Sequence, residues 1–288
     1  MREAVLVAPQ SHPLGDAAAP LCRAEVWALM PSHREPPSRE LLRAARAHVQ
    51  GLLIVDDGSL DADARELIGL AAEERVDLLR LEPNRGKGGA LRAGVRRLLA
   101  QRAPPRAVLV IDADGQHPPE FIPAFLAASA YAELVIGDRL GDPRSMPQLR
   151  RTGNLLSRWL LSALTGRPVG DTQSGMRLLH GRALHELEIP EGGYEAETRH
   201  LRRVLARGIS VAWIPIPAIY GNEKSSFGML RDTFRVLSAL LERSQEQPQS
   251  PLPQRPRAPL RRGRQTGSGL RGRRARTQQS PPERATAG

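Results

Sequence analysis

A chain of 288 residues, 40% of them hydrophobic, is long enough for one α/β domain of enzyme size, and its 3% aromatic content leaves the core to Leu, Val, Ile and Ala. The single cysteine, Cys22, excludes an intrachain disulfide and is compatible with a reducing cytoplasmic setting. No run of 18 or more apolar residues is present, which excludes a transmembrane helix, and eight of the eleven net positive charges sit in residues 244–288, where ten arginines face only Glu246 and Glu283.

Residues 1–23, rich in Ala and Pro, read as a poorly ordered lead-in whose apolar stretch at 4–9 is too brief for a signal peptide. The catalytic-domain candidate spans 24–243. Apolar runs at 26–30, 52–55 and 107–111 predict strands, and the segments 38–49 and 61–74 between them predict helices or turns. Strands alternating with helices over this length predict a mostly parallel central sheet with helices on both faces. In such a sheet, ligands bind outside the carboxyl ends of the strands. Each run here ends in polar residues: His33 and Glu35 after Pro31, then Asp56, Asp57, Gly58 and Ser59, then Asp112 and Asp114 around Ala113. Two carboxylates one residue apart suit a hard divalent cation, and Mg²⁺ commonly adds the oxygens of a substrate phosphate, so a metal-diphosphate is the predicted ligand. Gln116 offers a further neutral oxygen.

Lysine usage points the same way. Among 42 basic residues only Lys87 and Lys224 are lysines, and both lie in glycine-containing motifs. In an arginine-using chain, a retained ammonium suits a compact point charge near phosphate.

Six segments, PSHRE at 31–35, VDDGSLD at 55–61, NRGKGGALRAG at 84–94, DADGQHPPEF at 112–121, IGDR at 136–139 and DTQSGMR at 171–177, resemble in order and spacing the family 2 glycosyltransferases. Over residues 24–243 the chain is most similar to their dolichol- or polyprenyl-phosphate sugar transferases. The resemblance implies a GT-A fold, a nucleotide-sugar donor carrying UDP or GDP, a divalent cation (Mg²⁺ or Mn²⁺) and inversion at the anomeric carbon. It implies Asp112, Asp114 and Gln116 as metal and diphosphate ligands, with Ala113 between them in the donor site. It implies Pro31, His33, Glu35, Val55 and Asp57 as the nucleoside pocket, and Lys87, Arg139 and Lys224 as residues facing the diphosphate. Arg34 stands where that family usually has Asn, and Ala218 where its phosphate-sugar synthases often have arginine.

Asp171 is the catalytic candidate beside Asp114, with three roles open: general base for an acceptor hydroxyl, positioner of the acceptor, or anchor of its loop. A lipid phosphate is already anionic and needs no base, whereas a sugar or glycolipid hydroxyl does. Glu195 and Glu197 are either site residues or first-turn acids favoured by a helix dipole. The expected partners are therefore a nucleotide-sugar donor and a lipid-phosphate or glycan acceptor, with a scaffold that binds donor without turnover as the non-enzymatic alternative.

Two helical stripes remain. Leu155, Trp159, Leu160 and Leu164 beside Arg150, Arg151 and Arg158, and Leu230, Phe234, Leu237 and Leu241 near Arg231 and Arg235, are expected to pack on the sheet, with a lipid interface as the alternative. Residues 244–288 cannot bury enough apolar surface to fold and are expected to be a disordered basic tail. Such a tail suits an anionic membrane surface, which would make the enzyme cytoplasmic or peripheral on the cytoplasmic membrane face. Nucleic acid is not expected as the main partner, because no structured recognition motif accompanies the charge.

Overall fold

A computed structural model describes residues 19–141, 148–187 and 195–219. The basic tail, Lys224, the 230–241 stripe and residues 1–18 lie outside the described residues. Packing reaches into the expected lead-in: Leu21 is buried and its N–H donates to Ser129 Oγ at 2.8 Å.

Seven strands form one sheet in the order β3-β2-β1-β4-β6-β5-β7. They are β1 (Val26–Ser32), β2 (Gly51–Asp57), β3 (Asp77–Leu81), β4 (Ala107–Val110), β5 (Leu134–Asp138), β6 (Arg177–His180) and β7 (Val211–Pro215). All pairings are parallel except those of β6 with β4 and β5. The central strands β1, β2 and β4 are buried along almost their whole length, as continuous apolar runs with helices on both faces must be.

Two core layers flank the sheet. On one side α1 (Arg39–Arg46), α2 (Asp61–Glu74) and α4 (Ile122–Ala128) cover Met30, Ile54, Leu109 and Ile111. On the other, α3 (Gly86–Leu99), α5 (Gln148–Thr165), α6 (Gly181–His185) and α7 (Glu195–Ala206) cover Leu29, Leu53, Val110 and Ile136. Ser38 starts α1 by accepting from the Leu41 N–H at 3.1 Å, and the left-handed Arg75 closes α2.

One expectation fails in part. Of the α5 stripe only Leu160 packs, partly buried, against the core: Leu155, Trp159 and Leu164 are exposed, and Gly153, Asn154, Ser157 and Leu161 are buried. The inward side of α5 meets polar groups of the 171–177 loop, so it is the polar side chains that are turned inward.

Candidate active site

Parallel strands β1, β2 and β4 end together, and the loops leaving them bring most of the sequence candidates to one edge of the sheet. Pro31 pairs in register with Val55, and the Asp57 carbonyl accepts from His33 Nδ1 and from Asn84 Nδ2, each at 2.9 Å. The Asp57 carboxylate accepts the Arg85 N–H at 2.8 Å, so the start of α3 is tied to the end of β2. Burial pushes the Asp57 carboxyl above its ordinary range. His33 and Glu35 are exposed at this rim, whereas Val55 is fully buried in the core beneath α3 and supports the rim from below. Arg34 adopts a left-handed backbone, φ 64°, a conformation that Asn tolerates better than a long side chain does.

Asp112, one residue past the end of β4's apolar run, is the centre of the site. Lys87, in the first turn of α3, places Nζ 2.7 Å from Asp112 Oδ1 and 2.6 Å from Glu197 Oε1 on α7. Burial opposes both charges, yet the pairing outweighs it: the Lys87 pKa is raised and the Asp112 carboxyl sits at about 2. Burial likewise pushes the Glu197 carboxyl up, against the pull of Lys87 and Arg177. His117, 1% exposed, lies 3.8 Å from Asp112 Oδ2; burial lowers its pKa to about 4, which keeps the imidazole neutral. Asp114 is exposed and accepts the Gln116 N–H at 2.9 Å, while Gln116 itself is buried beside it.

The 171–177 loop closes onto Asp112 from the opposite side. A Cβ on Gly175 would lie 2.0 Å from Asp112 Oδ2, so only glycine lets this backbone approach the carboxylate. Arg177 pins the loop, donating to the carbonyls of Ser174 (2.8 Å), Thr172 (2.8 Å) and Glu197 (2.7 Å). Asp171 is fully buried and accepts four hydrogen bonds: Arg139 Nε at 2.6 Å and Nη2 at 3.3 Å, Asn154 Nδ2 at 2.8 Å, and the Gln173 N–H at 2.8 Å. Burial alone would raise its pKa, but these donors hold it below the usual carboxylate range.

The arrangement therefore joins Lys87 to Asp112 and Glu197, sets the Arg139–Asp171 pair within electrostatic reach of Asp112, and leaves Gln116 and the exposed Asp114 on the loop that follows. Two carboxylates next to an ammonium and a neutral amide suit a hard cation that shares its shell with a phosphate. Among the described residues no three His, Cys, Asp or Glu side chains converge as an all-protein metal cage. Sequence reasoning left Arg177, His117 and Asn154 without a role and Glu197 undecided. Arg177 and His117 lay inside quoted motifs, but nothing in the sequence marks Asn154, which reaches Asp171 only through the placing of α5.

The model of the family described as glycosyl transferase family 2 matches residues 28–187. The chain belongs to that family. It is 38% identical over 152 residues to the dolichyl-phosphate hexose transferase of Haloferax volcanii, covering 51% of this chain and 63% of that one. It is 26% identical over 243 residues to the UDP-N-acetylglucosamine–dolichyl-phosphate N-acetylglucosaminyltransferase of Methanococcus voltae, covering 75% and 94%. In fold it resembles glucosyl-3-phosphoglycerate synthase of Mycobacterium tuberculosis, crystallised with Mn²⁺, UDP and phosphoglyceric acid, at a TM-score of 0.62, 20% identity and 83% and 86% coverage. The seven-stranded, mostly parallel sheet is thus the GT-A fold, and the chain is a glycosyltransferase similar to the polyprenyl-phosphate sugar transferases.

Proposed function

We propose that this glycosyltransferase moves a sugar from a UDP- or GDP-sugar to a polyprenyl phosphate, with inversion and with a divalent cation, at the cytoplasmic face of a membrane. The observation that carries the acceptor reading is the state of Asp171. A carboxylate that already accepts four hydrogen bonds and whose pKa is depressed is a poor proton acceptor. Glu197, the next buried carboxylate, is held by Lys87. A phosphate oxygen needs neither of them, because it is anionic at neutral pH.

In this reading the acceptor phosphate oxygen attacks the anomeric carbon from the side opposite the leaving group. The bond from that carbon to the donor diphosphate breaks, and its electron pair leaves with the nucleoside diphosphate. Asp112, Asp114 and Gln116 would hold the cation, which acts as a Lewis acid on the departing diphosphate. Lys87 and Arg139 supply fixed positive charge to the same oxygens, a preorganised form of stabilisation that needs no rearrangement during reaction. His33, Pro31 and Asp57 bound the nucleoside rim. Asp171 is a positioning residue that aims Arg139, and Lys224 keeps its expected place on the donor diphosphate as part of the proposal. The dolichyl-phosphate acceptors named for the two sequence relatives support the reading.

Calorimetric titration with UDP and GDP, each with and without Mn²⁺, tests the donor half. One nucleotide is expected to bind in a Mn²⁺-dependent manner and to bind at least about tenfold more weakly to Asp114→Ala, as loss of a metal carboxylate requires. Absence of binding by both nucleotides would remove the donor site as described.

A further inference from the structure

Helix α5 turns polar side chains inward and apolar ones outward beside its core contacts at Leu160 and Leu161. Its buried arc is Gly153, Asn154, Ser157 and Leu161, spaced i, i+1, i+4 and i+8, and its polar members are satisfied inward: Asn154 on Asp171, and Ser157 on Thr172 Oγ1 at 2.8 Å. The complementary arc turns Leu155 (41% exposed), Leu156 (44%) and Trp159 (67%) to solvent beside Thr152, and Leu164, near the helix end, is also exposed. A surface helix of a water-bathed domain has the opposite pattern, apolar side in and polar side out. Contiguous exposed apolar side chains of this kind mark an interaction surface.

The chemistry beside that arc selects the partner. The sequence of α5 holds no Asp or Glu, and Arg151 and Arg158 are exposed at one edge of the apolar arc. An acid-free helix with leucines and a tryptophan on one side and arginines at its border is the pattern of a helix lying in a lipid interface. Basic residues near an anionic surface are attracted to it, and tryptophan favours the headgroup level, where its ring is apolar and its N–H is wet.

We infer that the outer face of α5 is a membrane-docking surface that seats the enzyme on an anionic bilayer, with Trp159 and its neighbouring leucines in the headgroup region. The inward side of the same helix holds Asp171, which in turn holds Arg139. An α-helix with its side chains is about 10 Å across, so docking on α5 brings the lipid plane to within one helix of the candidate transfer centre. This deepens the lipid-phosphate reading, and the binding measurement below stands independently of it.

The full chain is mixed with phosphatidylcholine vesicles, alone or with roughly one-third phosphatidylglycerol, carrying brominated acyl chains, in about 0.3 M NaCl to screen the long-range attraction of the arginine-rich tail. Bromolipid is expected to quench the protein's fluorescence on the anionic vesicles, and Trp159→Phe is expected to remove that quenching, because Trp27 and Trp213 pack against the core. The double variant Leu155→Glu with Trp159→Glu is expected to partition at least about tenfold less, with an unchanged melting temperature, since both side chains are exposed on the outer face. Equal quenching in Trp159→Phe, equal partitioning of the double variant, or no vesicle binding by the native chain would each overturn the inference; binding through the tail alone gives the first two. Transfer to a water-soluble short-chain isoprenyl phosphate separates the two readings. Its retention in the double variant supports lipid docking apart from chemistry, and its absence in the native chain sinks the acceptor assignment while the vesicle result still decides the surface.

Discussion

Asp171 illustrates how far a residue's chemistry depends on its partners. A lone carboxylate in a glycosyltransferase cleft invites assignment as a base, but this one is fully buried and saturated by Arg139, Asn154 and the Gln173 N–H. A base role and a positioning role make different demands on Asp171→Asn. Removal of a base lowers turnover and leaves donor affinity intact, whereas removal of the anchor frees Arg139 and leaves its charge buried without a counter-ion. We expect Asp171→Asn to weaken nucleotide binding together with turnover, and to cost about 3–5 kcal/mol of stability, the range for breaking one side of a buried pair. Titration calorimetry with thermal unfolding reads both; unchanged nucleotide affinity with lost turnover would restore the base. The left-handed φ of Arg34 belongs to the same scale, because a short Asn side chain tolerates that backbone better than arginine does.

At the scale of the element, α3 shows why the segment NRGKGGALRAG is rich in glycine. A Cβ at Gly94 would meet Leu29 Cδ1 at 2.4 Å and Val55 Cγ2 at 2.9 Å, so the helix lies on β1 and β2 closer than any side chain allows. That approach sets where the helix N-terminus, and Lys87 in its first turn, stands relative to Asp112. Helix propensity alone favours Gly94→Ala by about 1 kcal/mol. Overpacking opposes it at about 1–3 kcal/mol, and because the neighbours are core side chains we expect a net loss of stability, accompanied by weaker nucleotide binding. Chemical denaturation of the variant decides the point: a gain in stability would show that the helix has room to move outward. The α5 stripe departs from expectation for a related reason: an amphipathic stripe reports which residues are apolar and not which side of the helix the fold turns inward, so Leu160 packs and Trp159 does not.

At the scale of the whole molecule, buried histidines tie stability to pH. His200 is 1% exposed, its Nε2–H donates to the Ala183 carbonyl at 3.0 Å, and burial, aided by Arg177, lowers its pKa to about 3 from an ordinary 6.5. The unfolded chain therefore binds a proton below pH 6.5 that the folded chain refuses. Stability is complete above that pH and falls as the pH drops through the window from 6.5 toward 3, by about 1 kcal/mol per unit for this residue. Urea unfolding at pH 7 and pH 5 should show the decline, and His200→Gln should reduce its slope; an equal slope in the variant would assign the effect to other groups. The sheet and its ligand edge were legible in the sequence because continuous apolar runs ending in Asp, Gly and Ser are local signals, and backbone hydrogen bonding leaves a buried run few conformations other than a strand. The motifs that placed the chain among family 2 glycosyltransferases were legible for the same reason, each being a short loop whose chemistry is contained in adjacent residues. What the tertiary structure alone decided are the meetings between distant segments: Lys87 between Asp112 and Glu197, Gly175 against Asp112, Asn154 on Asp171, and the outward turn of Trp159. These depend on how helices are laid across the sheet, a matter of packing between elements far apart in the chain, and no local pattern encodes it.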